Sequence, residues 1–508
     1  MEHITSVSRV SCNAGACVPC SAGGGDAATG EYHATPSPTV GIDSLTREVW
    51  ARVKRHPCFS EEAHHHFARM HVAVAPTCNI QCRYCNRKYT CANESRPGVT
   101  SRLLSPEQAA VRVLEARERD PRLTVVGIAG PGDALASPRQ TFETLRLIRK
   151  QAPDLIFCLS TNGLALPDQV EEIVQHGVDH VTITINTLDP DVGTQIYAWV
   201  AWGVQRLESR EGVSRLIERQ IIGLQMLVER GVLVKVNSVL VPGVNDQDLV
   251  AVNEVVKARG AFLHNIIPLL SEKEHGTEFG LSGRRGPSTL EFEAVLAGCD
   301  KGAKLMRHCH HCRADSVGLL CEGIHLEQSP GPTSAVGDLC SLAKRRTFQN
   351  GLEAELRIQH ATKSAVLDVA RAQRGPAMKV RVAVVSQGGG RINEHFGRAT
   401  GFLIYELEAH AGNVTFTFLG HRRADPYCHS GLGKNARLTS IIEMLFDCDA
   451  VLAAAIGAGP LETLRAAGIE PVQVDAEPFI EAGVLRWFID CRAQLAIESS
   501  TQPLSASG

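Results

Sequence analysis

Between residues 72 and 268 six short, β-branched runs alternate with segments of helical periodicity, and that alternation constrains the chain more than any other feature. The runs are VAVAP (72–76), LTVVGIA (123–129), LIFCLS (155–160), HVTITIN (180–186), VLVKVNSVL (232–240) and AFLHNIIPLL (261–270). Helical patterns lie between them near 104–117, 139–150, 167–176, 214–230 and 246–258. The first opens with Ser105 as N-cap, Pro106 in the first helical position and Gln108 in place for a capping box, and the last stops at Gly260. Strands joined through helices must run parallel, so the spacing predicts an α/β fold whose sheet is open or closed into a barrel. Its active site belongs at the carboxyl ends of the strands.

The remaining organisation follows from composition. Residues 1–45 are rich in Gly, Ser, Ala and Cys without apolar periodicity and read as a flexible leader, in which Cys12, Cys17 and Cys20 are as readily unoccupied as metal-bound. The first α/β domain spans 46–325. Residues 326–377 read as a linker: the patch SPGPTSAVG (329–337) is followed by a long polar helical pattern near 351–373. A second, smaller α/β domain starts at VRVAVVS (380–386) and occupies 378–495, and the tail 496–508 reads as disordered. A net charge of -3 over 508 residues provides no basic field for nucleic acid, and no apolar run is long enough to span a membrane. A cytoplasmic location is expected. There, thiols stay reduced, so the 17 cysteines are better read as metal ligands or buried thiols than as disulfides.

The chemistry concentrates in PTCNIQCRYCNRKYTC, directly after the first strand pattern, where Cys78, Cys82 and Cys85 form a C-x3-C-x2-C run. Three thiolates on one loop can hold three irons of a [4Fe-4S] cubane and leave the fourth iron open to a ligand. Zinc is the alternative, but it would want a fourth nearby ligand. The loop and its position resemble those of the radical S-adenosylmethionine (SAM) superfamily. That resemblance implies that the open iron takes the amino and carboxylate groups of SAM and that reductive cleavage yields a 5'-deoxyadenosyl radical. It gives Tyr84 a place beside the adenine. It also matches Gly130, Gly132 and Asp133, in GIAGPGDAL, to the glycine-rich motif for the SAM amino group. Asn162 closes the third strand, while Thr184 and Asn186 share one face of the fourth, within reach of the SAM ribose or methionine; ordinary strand roles for them stay open.

Longer strings go beyond the superfamily. HPCFSEEAHHHFARMHVAVAPTCNIQCRYCNRKYTCANESRPG, GIAGPGDALASP, VDHVTITINTLDP and RHCHHCRADSVGLL resemble the NifB family of nitrogenase iron-molybdenum cofactor biosynthesis proteins over about 45–325. The carboxy-terminal domain resembles the NifX/NafY-like module. The resemblance implies a partial (βα)6 TIM-like barrel followed by a ribonuclease H-like domain. It implies an enzyme that fuses two further [4Fe-4S] clusters and inserts a SAM-derived carbide, giving the eight-iron precursor NifB-co. Its partners would be iron-sulfur cluster donors and NifB-co carrier or scaffold proteins.

Two auxiliary clusters need more soft ligands, and the candidates are His56, Cys58, Cys91, Cys158, Cys309 and Cys312. A lone cysteine is by default a buried apolar thiol. The resemblance gives an auxiliary cluster one nitrogen ligand, from His56 or from His64, His65, His66 or His71, although a surface or capping role is commoner for a histidine. Glu94 is the candidate for proton removal, with Glu61, Glu62, Arg96 and Asp315 as further polar groups, and salt bridges are the simpler reading of each. In the last domain GGGRINEHFGRA, with His395, and the pair Cys428-His429 are candidate contacts for an anionic product, beside a purely structural reading. Two competing functions remain: a different radical SAM enzyme with auxiliary clusters, and an iron-sulfur scaffold without catalysis.

Overall fold

The computed structural model describes residues 47–501 apart from 93, 300–301, 310, 321–341, 411, 425–426 and 428–433. The leader cysteines, the SPGPTSAVG patch and Cys428-His429 therefore lie outside the described residues.

Six parallel strands form the first sheet: β1 (Ala68–His71), β2 (Leu123–Ile128), β3 (Ile156–Thr161), β4 (Val178–Thr184), β5 (Leu233–Leu240) and β6 (Leu263–Pro268), hydrogen-bonded in that order. A short strand, Val317–Gly318, pairs antiparallel with β1 at the edge. The helices between strands fall where the periodicity predicts, and the Ser105 capping box is present on Pro106–Arg119. The first strand does not. It lies at Ala68–His71, and residues 72–75 run on as extended chain, with Val72 donating to the Gly127 carbonyl and Ala75 bridged to Pro131. VAVA is apolar enough for a strand, but its segment leaves the sheet to reach the cysteine loop.

Strand alternation sorts the side chains into two rows. Met70, Val126, Phe157, Leu159, Val181, Ile183, Val234 and Val236 face the helices and form the main core, each buried large side chain contributing about 1.5–3 kcal/mol. The opposite row faces the inner side of the half-barrel and is polar: Arg69 and His71 on β1, Cys158 on β3, His180, Thr182 and Thr184 on β4, Lys235 and Asn237 on β5. A buried polar row in an α/β sheet marks a site rather than a core.

The second sheet is mixed. Its strands are β7 (Met378–Val384), β8 (Gly401–His410), β9 (Asn413–Arg423), β10 (Ala450–Ala453) and β11 (Glu470–Gln473), in the order β9-β8-β7-β10-β11. The first three pair antiparallel and the rest parallel, the ribonuclease H-like order that the resemblance implies. Both sheets belong to one compact unit.

Two expectations are corrected here. Most of the described part of the linker is a docked helix, Leu342–Ala372, and the tail is helical as far as Thr501. Arg345 on the long helix is fully buried and donates to the carbonyls of Arg117 and Leu123 at 2.6 and 2.7 Å. Leu356 packs on Ala63 and Phe67, while Gln359 bridges His66 and Glu481. The polar pattern that suggested a solvated spacer is instead a set of buried partners on both sides. No described helix is long and apolar enough to cross a membrane.

Candidate radical and cluster site

The cysteine loop is fixed from three directions. Its short strand Ile80–Cys82 pairs with Tyr197–Trp202, and Cys78, Cys82 and Tyr84 pack against Ile80, Leu164 and Tyr197. Gln81 donates to the carbonyls of Cys82 and Cys85 at 2.9 and 2.8 Å. The loop after β2 clasps the segment before Cys78: Gly132 and Asp133 donate backbone N–H groups to the carbonyls of Ala75 and Thr77, both at 2.7 Å. A Cβ on Gly132 would lie 2.0 Å from the Thr77 oxygen, so only glycine permits this approach.

Asp133 and Asn186, expected to meet SAM, instead spend their side-chain hydrogen bonds on the frame around the cysteine loop. The Asp133 carboxylate accepts from the N–H groups of Leu135, Ala136 and Asn162 and from the Thr161 hydroxyl. Burial still raises its pKa. Asn186 donates to the hydroxyls of Tyr84 and Tyr197 at 2.8 and 3.1 Å and accepts from the Val239 N–H, which fixes Tyr84 over the loop. Asn162 donates to the Cys78 sulfur at 3.6 Å and to Asn79 at 2.6 Å, a contact of the kind that tunes a metal-bound thiolate. Gly130 has a φ of 137°, a left-handed value that favours glycine. Thr184 lies on the inner row, where its carbonyl accepts from Gln220 at 2.8 Å.

Burial pushes the Cys78 thiol up to about 12, with the Asp133 charge adding to it. Cys82 and Cys85 are raised for the same first reason, and the neighbouring cysteines add to the shift on Cys82. Three half-buried cysteines on one loop, with an amide N–H aimed at one sulfur, are a donor set suited to iron-sulfur ligation. Among the described residues, no three His, Cys, Asp or Glu side chains gather as a single metal ion would require.

A second group lies on the inner side of the sheet. Cys58 is within electrostatic reach of Lys235, Cys312, Arg69 and Cys309, and Cys158 of Lys235 and Cys58. Burial raises the Cys58 thiol and lifts Cys158 to about 12, while Lys235 pulls both down. Arg69 donates to the Cys312 sulfur at 2.9 Å. Cys91 sits farther along the loop; its carbonyl accepts from Arg313 at 2.6 Å, and no hydrogen bond ties its thiol to either group among the described residues.

His56 is fully buried, 4.3 Å from the His180 ring. Its Nδ1 accepts from the Cys58 N–H at 3.2 Å, so the ring proton sits on Nε2, which has no partner. Ligation through Nε2 requires that proton to move to Nδ1 and the Cys58 contact to break. Glu94 is clamped rather than free: Lys88 donates to it at 2.7 Å and Arg96 pairs with it as well. Burial works to raise this carboxyl, but the two cations outweigh it and hold it below the usual range. The salt-bridge reading of Glu94 describes its setting here.

Sequence reasoning missed Arg69, His180 and Lys235. The signal was present, since a cation inside the β-branched strand LVKVNSVL is out of place in a core. In the last domain His395 caps its own turn by accepting from the Gly397 N–H at 2.9 Å, and Gly389 donates to the His65 carbonyl at 3.0 Å. These loops hold structure together.

A parallel half-barrel with a thiol trio beyond its first strand defines a radical SAM protein, and the radical SAM superfamily model matches residues 72–256. The model described as dinitrogenase iron-molybdenum cofactor matches 378–488. The FeMo cofactor biosynthesis protein NifB of Herbaspirillum seropedicae is 51% identical over 451 residues, covering 89% of this chain and 85% of its own. Those of Rhodobacter capsulatus and Azotobacter vinelandii are 52% and 48% identical, covering 86% and 87% of this chain and 96% and 89% of their own. The chain belongs to the NifB family: it is a radical SAM protein of FeMo cofactor biosynthesis.

Proposed function

We propose that this chain fuses two [4Fe-4S] clusters and inserts a carbon derived from SAM, producing the eight-iron precursor NifB-co. With a [4Fe-4S] cluster and SAM bound, the radical site would supply both a methyl group and a 5'-deoxyadenosyl radical. Cys78, Cys82 and Cys85 would hold that cluster, Asn162 would donate to the Cys78 sulfur, and Tyr84, fixed by Asn186, would bound the adenine pocket. The single observation that carries the reading is the inner group of the half-barrel. Cys58 is within electrostatic reach of Cys158, Cys309 and Cys312, and two buried cations, Lys235 and Arg69, stand beside it. Thiolate-ligated clusters are anionic, and buried charge of the opposite sign favours them. Substrate clusters delivered by donor proteins would occupy the inner group, and carrier proteins would take the product.

The test is anaerobic reconstitution followed by SAM and dithionite. Wild-type chain is expected to form both S-adenosylhomocysteine and 5'-deoxyadenosine, and Cys82→Ala neither, while its auxiliary clusters still load. Deoxyadenosine without homocysteine would point to a different radical enzyme. Neither product from the wild type would leave only a scaffold.

A further inference from the structure

The barrel and the carboxy-terminal domain meet across a cavity of about 400 Å³, within the usual range of small-molecule sites, roughly 300–1,000 Å³. Its walls carry soft donors from both halves: Met306, Cys309 and His311 from the barrel, and His421 from β9. Cys309 belongs to two spaces. It lines this cavity, and it is also within electrostatic reach of Cys58 in the inner group. Behind the cavity wall, His64 is within reach of His421 and stacks on His308 at 5.0 Å between ring centroids. Both rings are buried, and neither His64 Nε2 nor His308 Nδ1 has a hydrogen-bond partner. Buried imidazole nitrogens are normally satisfied, and an orphan beside other soft donors suits a ligand that comes and goes.

We propose that this cavity is a transit site for an anionic iron-sulfur cluster between the barrel interior and the carboxy-terminal domain, with Cys309 as the donor on the barrel side and His421 facing it. The proposal rests on the functional reading above and specifies the route its product takes. Transfer needs only ligand exchange: an imidazole lone pair binds iron as the Cys309 thiolate leaves with its own pair, and no electron moves. Glu293, which also lines the cavity, is occupied by Arg381 at 3.2 Å, so this wall carboxylate is already neutralised toward an anion.

The full chain, labelled with 15N-histidine and reconstituted anaerobically, is given SAM and dithionite and then examined by pulsed EPR. The wild type is expected to gain a 15N coupling after turnover that is lost in His421→Ala. A second variant guards against misfolding. His311 holds a left-handed φ of 50°, so His311→Gly removes an imidazole from the barrel wall while easing the backbone; it is expected to keep the 15N coupling, and a loss there equal to that in His421→Ala would overturn His421 as the ligand. A 15N coupling retained in His421→Ala after turnover would overturn it. Deoxyadenosine, measured in the same samples, separates the two failures: if the wild type forms none, the radical reading fails and the transit site with it.

Discussion

Gly132 is where the chemistry of the cysteine loop meets plain sterics. Gly132→Ala would drive a methyl into the Thr77 carbonyl, and the backbone ahead of Cys78 must then shift, at a cost of about 1–3 kcal/mol. The expected outcome is a folded chain that reconstitutes with the irons of the inner clusters but not those of the radical cluster; full iron content in the variant would refute this. Glu61 tests a different physics. Burial, reinforced by Glu62, lifts its carboxyl from an ordinary 4.5 to about 7. The folded state therefore holds the proton more tightly than the unfolded chain. Its contribution to stability is full below pH 4.5 and is lost as pH rises through 7. Glu61→Gln should flatten the fall in melting temperature across that window, and an unchanged pH profile would count against it. The thiol trio was legible in the sequence because its spacing is local. The partners of Asp133 and Asn186 were not, because they come from strands far apart in the chain.

At the scale of elements, periodicity located five of the six barrel strands and the long helix of every crossover but not the short helix Pro190–Ile196, since amphipathic patterns report burial directly. It misplaced the first strand, whose apolar continuation is buried but bonds to the neighbouring loop instead of extending the strand. It also read the helix Leu342–Ala372 as a spacer, because a helix that buries Arg345, Gln349 and Glu353 looks polar from sequence. Arg345→Ala should lower the unfolding free energy by about 3 kcal/mol, near the bottom of the range for a broken buried pair, because Asp154 keeps Arg117 at 2.7 Å. Urea denaturation measures it, and a loss well under 1 kcal/mol would show that the guanidinium is not a structural anchor.

Across the whole molecule, the two halves are joined by contacts that no local pattern announces. The run His64-His65-His66 is buried, with His65 receiving the glycine loop of the second domain and His66 bonded to the long helix through Gln359. Histidines in a row suggested ligands or surface, and their packing role depends on chain folded more than 290 residues later. Lys235 has the widest consequence. Among the described residues no carboxylate comes within ion-pair distance of it, and its ammonium meets the Met306 sulfur at 3.7 Å and the Phe59 ring. A metal-starved chain must therefore fold around a charge that its own side chains leave unbalanced, so the incoming mineral completes the electroneutrality of the interior. Soluble yield should accordingly climb with iron and sulfide supply during expression, and Lys235→Met should weaken that dependence; equal yields with and without iron would show that the empty interior tolerates its cation.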